Sequence, residues 1–478
     1  MIYEALHFLL PLLPEAFLTI CALCALCAGV YSRVDLRKTN ANMLVWFGLC
    51  GSLVLIFLLR GNASGSDDGL FLADGYANFS RLTIFFLGAV SLSFGQSWLK
   101  YKKYARFEYP VLLAFSVCGM GIAVCSESFL PMFLGMEAAQ LPLCFLASYK
   151  RQGERSTEAG AKYVLISLLS SSFILFGISS LYVSLGTIEF SRIGAAVQKT
   201  GISALYPSLS FIGAGFLMKA GAVPFHTWVA PVYEGMPTPV TAFAGVVWRF
   251  AVWAVFAKLV FYPLSFAHEF WSVLFLILSV AGVYAGAFGA LTQTNIKRLA
   301  AYTLTVSNAF ILLSLQISDA GAFLFFALTD AVMATGLFGV ALSLRVGGDL
   351  SESIETLSGQ GKSKPVRAAL YGLIFLGMTG FPPFAGFWRR FFLFESAIKG
   401  GDFWPCLLIM AGAFVLAFVY LRIIRRMYGS PSKDELSPVP FSLRSVLWAA
   451  ALVSLLFSFP AASVFDVARN AVLYTGGL

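Results

Sequence analysis

The sequence predicts an all-α polytopic membrane protein with about fourteen transmembrane helices, because apolar runs of about 20 residues recur along the chain. Of its 478 residues, 59% are hydrophobic and only 12% are charged, with a mean hydropathy of +0.81. A soluble globular domain is about 45–50% apolar and about 25% charged. The composition therefore excludes a set of soluble domains. The opening MIYEALHFLL also lacks the basic region of a cleaved signal peptide, so we expect a retained first helix.

The predicted spans fall into four consecutive groups. Residues 1–108 hold three accessory spans, 109–265 a first five-helix repeat, 266–430 a second five-helix repeat, and 431–478 a last span. No connection is long enough for a soluble domain, and the longest, 345–367, is expected to be a linker of Gly, Ser and charged residues. The spans are predicted at residues 5–30, 41–60, 76–97, 109–126, 128–149, 160–186, 206–229, 239–262, 270–291, 297–316, 319–345, 366–397, 403–427 and 444–467.

The basic residues alternate between successive loops. Loops rich in Lys and Arg stay on the cytoplasmic or matrix side, so the pattern predicts that both termini lie on the outer face of a bacterial or mitochondrial inner membrane. The inner loops carry Arg33, Arg37, Lys38, Lys100, Lys102, Lys103, Arg106, Lys150, Arg151, Arg155, Lys297, Arg298, Lys362, Lys364, Arg367, Arg422, Arg425 and Arg426. The outer loops carry Arg60, Arg192, Lys199, Lys399 and the acids Asp67, Asp68 and Asp74.

Three other classes of function lack support in the sequence. Cys21, Cys24 and Cys27 are spaced like iron–sulfur ligands, but they lie in an uninterrupted apolar span without the further Cys-Pro of such a run. We interpret them as packing thiols. The net charge of +9 comes without a basic stripe interleaved with aromatic residues, so nucleic acid is not an expected partner. We also predict no metal site and no self-contained catalytic centre.

Two spans are interrupted by proline close to a cation. In the stretch KAGAVPFHTW, Lys219 precedes Pro224, and in GMTGFPPFAGFWRR the pair Pro382-Pro383 precedes Arg390. Non-helical backbone at membrane depth persists only where protein or a wet cavity satisfies its hydrogen bonds. Two interrupted spans in corresponding positions are typical of an inverted-repeat transporter. The sequence therefore predicts broken helices in spans 7 and 12 and a hydrated site beside Lys219.

Ionisable residues within the spans are the candidates for proton transfer. A charge at the bilayer centre costs about 2.5–3.5 kcal/mol on insertion scales, so such residues face the bundle interior and pair with each other. We predict a proton relay of Glu137, Lys162 and Lys219, in which Lys219 stays protonated beside Glu137 and releases its proton when separated from it. The alternatives are a static ion pair that fixes helix register and, for Lys162, a side chain that reaches the membrane interface.

The remaining buried charges are assigned supporting roles. Arginine is never deprotonated in proteins, so Arg249 and Arg390 either tune a neighbouring group or act as structural counter-charges. His226 either shuttles protons or hydrogen-bonds the broken backbone. Asp330 is interpreted as a packing or capping group.

These motifs resemble a known family. KAGAVPFHTWVAPVYEGMPTPVTAF, LGMEAAQLPL, AKYVL, QTNIKRLAAYT and GFPPFAGFW are similar to segments of the antiporter-like membrane subunits of NADH–quinone oxidoreductase, or respiratory complex I. Those subunits are related to the large subunits of cation/proton antiporters, and the resemblance covers nearly the whole chain. It implies a proton-pumping subunit that binds no cofactor itself. NADH, FMN, iron–sulfur clusters and quinone would bind elsewhere in a complex whose membrane-arm and peripheral-arm subunits are its partners.

The resemblance also assigns residues and exposes departures. It matches Glu137, Lys162 and Lys219 to the family's buried glutamate and lysines in spans 5, 6 and 7. Where the family has a lysine in span 8 and another in span 12, this chain has Arg249 and Arg390, and the expected histidine is replaced near Ser307. Proton conduction through the second repeat is therefore open. Two alternatives follow: a subunit of a multisubunit cation/proton antiporter without a redox partner, and a non-pumping scaffold of the same complex.

Overall fold

The fold is described from a computed structural model. It covers residues 10–31, 37–59, 64–65, 69–101, 106–150, 153–347, 349–431, 436–456 and 461–473. Several loop residues that entered the topology prediction lie outside the described residues, namely Arg33, Arg60, Asp67, Asp68, Lys102, Lys103 and Arg151.

The described residues are almost entirely helical. The helices are α1 (Leu13–Tyr31), α2 (Arg37–Leu59), α3 (Gly75–Tyr101), α4 (Glu108–Cys125), α5 (Phe129–Ala147), α6 (Glu154–Leu185), α7 (Phe190–Thr200), α8 (Tyr206–Ala220), α9 (Val229–Gly235), α10 (Thr238–Phe243), α11 (Arg249–Phe261), α12 (His268–Leu291), α13 (Ile296–Gln316), α14 (Ala320–Ser343), α15 (Gln360–Ser363), α16 (Pro365–Thr379), α17 (Ala385–Lys399), α18 (Phe403–Gly429), α19 (Phe441–Leu456) and α20 (Ala461–Leu473). Two antiparallel hairpins pair β1 (Ser64–Gly65) with β2 (Leu72–Ala73) and β3 (Arg345–Val346) with β4 (Asp349–Leu350).

The predicted all-helical membrane architecture is confirmed. Among the described residues, 10 helices are long and apolar enough to cross a membrane, or up to 12 if each of two bent helix pairs forms one span. Many of these helices expose large apolar side chains on one side, such as Leu134 and Phe145 of α5 and Phe414 of α18. Apolar side chains are stable at such positions because lipid, rather than water, surrounds a membrane protein.

The chain divides into two compact units. The first contains Met1–Ala220, Val247–Phe270 and Asn470–Leu478, and the second contains Gly221–Val246 and Trp271–Arg469. In the second unit, most side chains of the neighbouring helices α13 and α14 are enclosed by protein.

Both predicted helix breaks are present, but each helix ends before its proline. Helix α8 ends at Ala220 and α16 ends at Thr379. The next residues, Gly221 and Gly380, have φ values of +65° and +80°, the left-handed conformation that commonly terminates helices and that glycine adopts without strain. The glycine, rather than the proline that follows it, therefore sets the end of each half-helix.

Three connecting segments differ from the sequence interpretation. Helix α7, which was not predicted, is an amphipathic helix that buries Phe190, Ile193 and Val197 along one face. The expected linker 345–367 is folded, because it contains the β3–β4 hairpin, a 3-10 turn and α15. The residues predicted as a single last span form α19 and α20, whose directions differ by 97°.

Candidate functional site

Lys219 lies in the last turn of α8, directly before the helix break. Its side chain is completely buried. The helix places it there because Gly221 ends the helical hydrogen bonding, so the lysine stands at the terminus of a half-helix rather than in the middle of a long one. Carbonyl groups at a helix C-terminus carry partial negative charge, which favours a cation at this position.

Three acceptors surround the Lys219 ammonium group. Its Nζ lies 3.1 Å from Glu137 Oε1 and 2.8 Å from Ser171 Oγ, and it also donates to Gln140 Oε1. The Ser171 hydroxyl in turn donates to Glu137 Oε1. An ammonium group has three N–H donors, so these contacts account for all of them. We call these four residues the Lys219 site; Trp248 adds a ring whose centroid is 5.9 Å from Nζ.

The Lys219 site joins α5, α6 and α8 within the first unit. Glu137 keeps 24% of its side chain exposed, whereas Gln140 is only 3% exposed. The sequence analysis missed Gln140 and Ser171. Gln140 follows Glu137 by three residues and therefore shares its helix face, a spacing that identifies it as a second ligand once Glu137 is assigned. Ser171 lies in the serine run 170–172, which gives no signal of its own.

Lys162 is not in contact with the Lys219 site. It lies on α6 with half of its side chain exposed, and its Nζ is 2.5 Å from Glu158 Oε1, one helical turn away. Nine residues separate it from Ser171 on the same helix, which corresponds to about 14 Å at 1.5 Å per residue. The structure therefore places the predicted relay residue at a distance that a direct proton transfer to Ser171 does not bridge.

The predicted supporting groups of the first helix break have different surroundings. Arg249 is buried at the start of α11, directly after the π-helical segment Ala244–Trp248. Short π-helical segments occur frequently at functional sites. His226 lies in the turn after the break; its carbonyl accepts from Val229 N at 3.1 Å, and its Nδ1 is buried without a hydrogen-bond partner among the described residues.

A second cluster of buried charges lies in the second unit. Asp330 of α14 forms an ion pair with Arg389 of α17, with Nη1 and Oδ1 2.5 Å apart, and both side chains are at most 3% exposed. The Ser307 hydroxyl on α13 donates to the same Asp330 oxygen at 2.7 Å. We call these three residues the Asp330 site. Asp330 lies in the middle of its helix, so it does not cap a helix end, and its ion pair joins α14 to α17.

Arg390 has a different role from its neighbour. Its guanidinium donates to the backbone carbonyls of Thr379 and Met378, at 2.8 and 3.1 Å. These are the last two residues of α16. The plane also lies 5.2 Å from the Phe310 ring centroid. A Cβ on Gly380 would approach Arg390 Nη1 to 2.4 Å, so a side chain there would displace the guanidinium. The geometry identifies Arg390 as a cap of the half-helix rather than as the partner of Asp330.

Further buried ion pairs were not identified from the sequence. Arg81 of α3 donates to both carboxylate oxygens of Glu15 in α1, and both side chains are 2% exposed. Lys258 of α11 lies 2.8 Å from Glu127 Oε1 and donates to two backbone carbonyls. The signal was present for Glu15, because a carboxylate inside the apolar run LLPLLPEAFL requires a cationic partner.

The chain matches one family of membrane proteins. A family model described as NADH:quinone oxidoreductase/Mrp antiporter, TM, matches residues 126–416. The NADH-quinone oxidoreductase subunit N of Paramagnetospirillum magneticum is 33% identical over 474 residues, which cover 97% of each chain. The same subunit of Rhodospirillum rubrum is 34% identical over 468 residues, 95% of each chain.

Solved structures share the fold. A chain of respiratory complex I from Thermus thermophilus superposes with a TM-score of 0.82 at 24% identity, covering 95% of this chain and 98% of that one. A chain of the Mrp complex from Dietzia sp. gives a TM-score of 0.84 at 18% identity, covering 96% and 97%. These likenesses extend over nearly the whole chain, and therefore include both units.

Proposed function

Because the chain belongs to the NADH:quinone oxidoreductase/Mrp antiporter membrane family, we propose that it is a proton-translocating membrane-arm subunit of an NADH–quinone oxidoreductase. The observation that carries the proposal is the Lys219 site, in which a buried lysine beside a helix break binds a glutamate, a glutamine and a serine. A relay needs a group that holds a proton and neighbours that accept it.

The contacts of Lys219 define how a proton moves. Its ammonium group is stabilised by Glu137 and hydrogen-bonded to Ser171, whose hydroxyl both accepts from Nζ and donates to Glu137. When the negative charge of Glu137 is neutralised or displaced, the buried ammonium loses its counter-charge and releases a proton to water in the helix break, either directly or through the Ser171 hydroxyl, which gives up its own proton as it accepts one. Restoring the charge draws a proton back. Lys162 enters the proposal as an outer member of the relay, which reaches Ser171 only through water.

The supporting residues are two permanent charges and an imidazole ring. Arg249 and Arg390 cannot release protons, so they set the electrostatic environment of the groups around them. His226, in the turn of the broken span, supplies a ring nitrogen that accepts a hydrogen bond from water or donates one to it. Proton transfer in the second repeat then depends on a group other than the lysines that Arg249 and Arg390 replace.

The finer architecture is part of the proposal. We infer fourteen spans with both termini on the outer face, and inverted repeats that correspond to predicted spans 4–8 and 9–13. The two breaks support the repeat, because each joins a half-helix to a left-handed glycine followed by proline: Gly221 before Pro224, and Gly380 before Pro382. Redox catalysis, with NADH, FMN, iron–sulfur clusters and quinone, resides in other subunits, which together with lipid are the partners of this chain.

The antiporter subunit is the second candidate. The chain of the Mrp complex shares the fold to the same extent as the chain of complex I, with TM-scores of 0.84 and 0.82. The two functions differ in the source of energy: oxidation of NADH in the first, an opposing cation gradient in the second.

Purification of the membrane complex from its native cells separates the candidates. We expect the chain to copurify with NADH–quinone reductase activity, and NADH oxidation in sealed vesicles to drive proton uptake. Copurification with an antiporter complex that exchanges Na⁺ for protons without NADH would overturn the first proposal.

A further inference from the structure

We propose that Asp330 is the proton-carrying group of the second unit: a buried carboxylate, rather than a lysine, that takes up and releases a proton between Arg389 and Ser307. This inference rests on the proposed function and specifies its second site. The supporting geometry is the ion pair between Asp330 and Arg389 and the Ser307 hydroxyl that donates to the same oxygen.

Charge type decides which group in this cluster can titrate. The two arginines of α17, Arg389 and Arg390, are guanidinium groups that stay charged in proteins. Arg390 is also bound to the backbone at the end of α16. Ser307 is a neutral hydroxyl that relays a proton but does not store one. Of these four residues, Asp330 is the one that changes charge, so a proton held in this cluster has to reside on its carboxylate.

The charged groups on the neighbouring helices do not change this assignment. Helix α14, which carries Asp330, packs against α10, α13, α16, α17 and α19. Helix α10 has no ionisable residue, and Arg367 of α16 donates to the carbonyl of Ser343 at the far end of α14. Thirteen residues separate Ser343 from Asp330, about 20 Å along the helix. Arg444 of α19 is exposed. From α18, the Tyr420 hydroxyl lies 2.7 Å from Thr303 Oγ1.

A series of hydroxyl groups leads toward Asp330. Ser307 and Thr303 are four residues apart on α13 and therefore share a face. Thr303 Oγ1 lies 2.7 Å from the Tyr420 hydroxyl, and all three side chains are buried. The Nε of Arg389 is buried without a hydrogen-bond partner among the described residues. Buried donors in proteins are nearly always satisfied, often by water, so this donor favours a hydrated cluster.

The proton balance is simple. In the resting state the Asp330 carboxylate is negative and neutralises Arg389. Uptake of one proton from water, passed through the Tyr420, Thr303 and Ser307 hydroxyls, makes Asp330 neutral and leaves one positive charge at Arg389. Release of that proton to water at the other side of the site restores the ion pair. The energy comes from the oxidation of NADH by quinone in the assembled complex.

The test compares variants of Asp330 in the intact complex. We expect Asp330→Asn to reduce proton uptake per NADH oxidised by about tenfold or more, the scale of losing a positioned proton-transfer group. Asp330→Glu should retain pumping with a shifted pH profile. Because Asp330→Asn leaves Arg389 unpaired and risks misassembly, the decisive variant is the charge-neutral double change Asp330→Asn with Arg389→Gln. It should assemble and still fail to pump.

The outcomes distinguish this inference from the proposed function. Wild-type pumping in the double variant would show that Asp330 only balances Arg389, and would overturn the inference. Lys219→Ala, measured in the same vesicles, reports on the first unit independently. Loss of pumping in Lys219→Ala with normal pumping in the double variant refutes the inference alone. Normal pumping in Lys219→Ala refutes the proposed function.

Discussion

Replacing Lys219 tests whether the protein moves protons by separating a buried ion pair. Lys219→Ala removes the cation that Glu137, Gln140 and Ser171 surround, and Lys219→Arg keeps the charge but removes the ability to release a proton. If Lys219 is a proton carrier, both variants lose pumping. If the lysine is only a counter-charge for Glu137, the arginine variant retains it.

The size of the effect follows from the distance between the charges. At an effective dielectric constant of about 20, unit charges about 3 Å apart attract by roughly 5 kcal/mol. Because Glu137 is 24% exposed, solvent screening lowers this attraction, for example to about half. About 1.4 kcal/mol changes a proton-binding constant tenfold. Separating the pair therefore still changes the proton-binding constant of Lys219 by more than tenfold. We therefore expect both variants to pump at least about tenfold more slowly.

The assay is proton uptake into sealed vesicles, measured together with NADH oxidation. Lys399→Ala is a control, since Lys399 also pairs with a glutamate, Glu395, but is 73% exposed. An exposed pair contributes about 0–1 kcal/mol, so this variant should pump normally. Lys219→Ala also leaves the Gln140 oxygen without its donor, at a cost of about 1–3 kcal/mol in stability. Normal pumping in Lys219→Arg would refute the reasoning.

Three further predictions use other parts of the chain. Glu137→Ala should resemble Lys219→Ala in pumping assays. The double variant should pump no more slowly than the slower single variant, because the effects of mutating two contacting groups do not add. Simple addition of the two effects would show that the pair is not one functional unit. Arg390→Ala should lower the free energy of unfolding of the purified complex by about 1–3 kcal/mol, because two buried carbonyls lose their donor. Arg390→Lys should retain part of that stability. A loss of pumping at unchanged stability would contradict the capping role. A single cysteine at Gly65, introduced by Gly65→Cys in a cysteine-free background, should react with a membrane-impermeant reagent from the outer face only, and labelling from the inner face would reverse the topology.

The sequence was sufficient for the helical membrane fold, because apolar periodicity depends on the bilayer and not on tertiary contacts. It also located both helix breaks, although it assigned them to Pro224 and Pro382-Pro383. The left-handed glycines end the helices two or three residues earlier, at Gly221 and Gly380. Glycine is common within transmembrane helices, so it is a weaker signal of a helix end than proline.

Pairing between distant residues was harder to predict. Glu137 and Lys219 were paired correctly because few charges are available in the first repeat. Arg389 and Arg390 are adjacent, and sequence alone does not decide which one faces Asp330. Adjacent residues point about 100° apart on a helix, so the choice depends on how α17 is rotated against α14. That rotation is set by packing, which no local pattern reports.

The buried pair of Glu15 and Arg81 has a consequence for how the chain is made. Sixty-six residues separate the two side chains, so Glu15 is synthesised long before its partner. A carboxylate inserted alone in lipid costs several kcal/mol. Helix α1 alone in the bilayer would carry this cost until α3 supplies Arg81. We expect α1, α2 and α3 to leave the insertion machinery together, once Arg81 has arrived, so that membrane integration of the first helix is delayed until the third is complete.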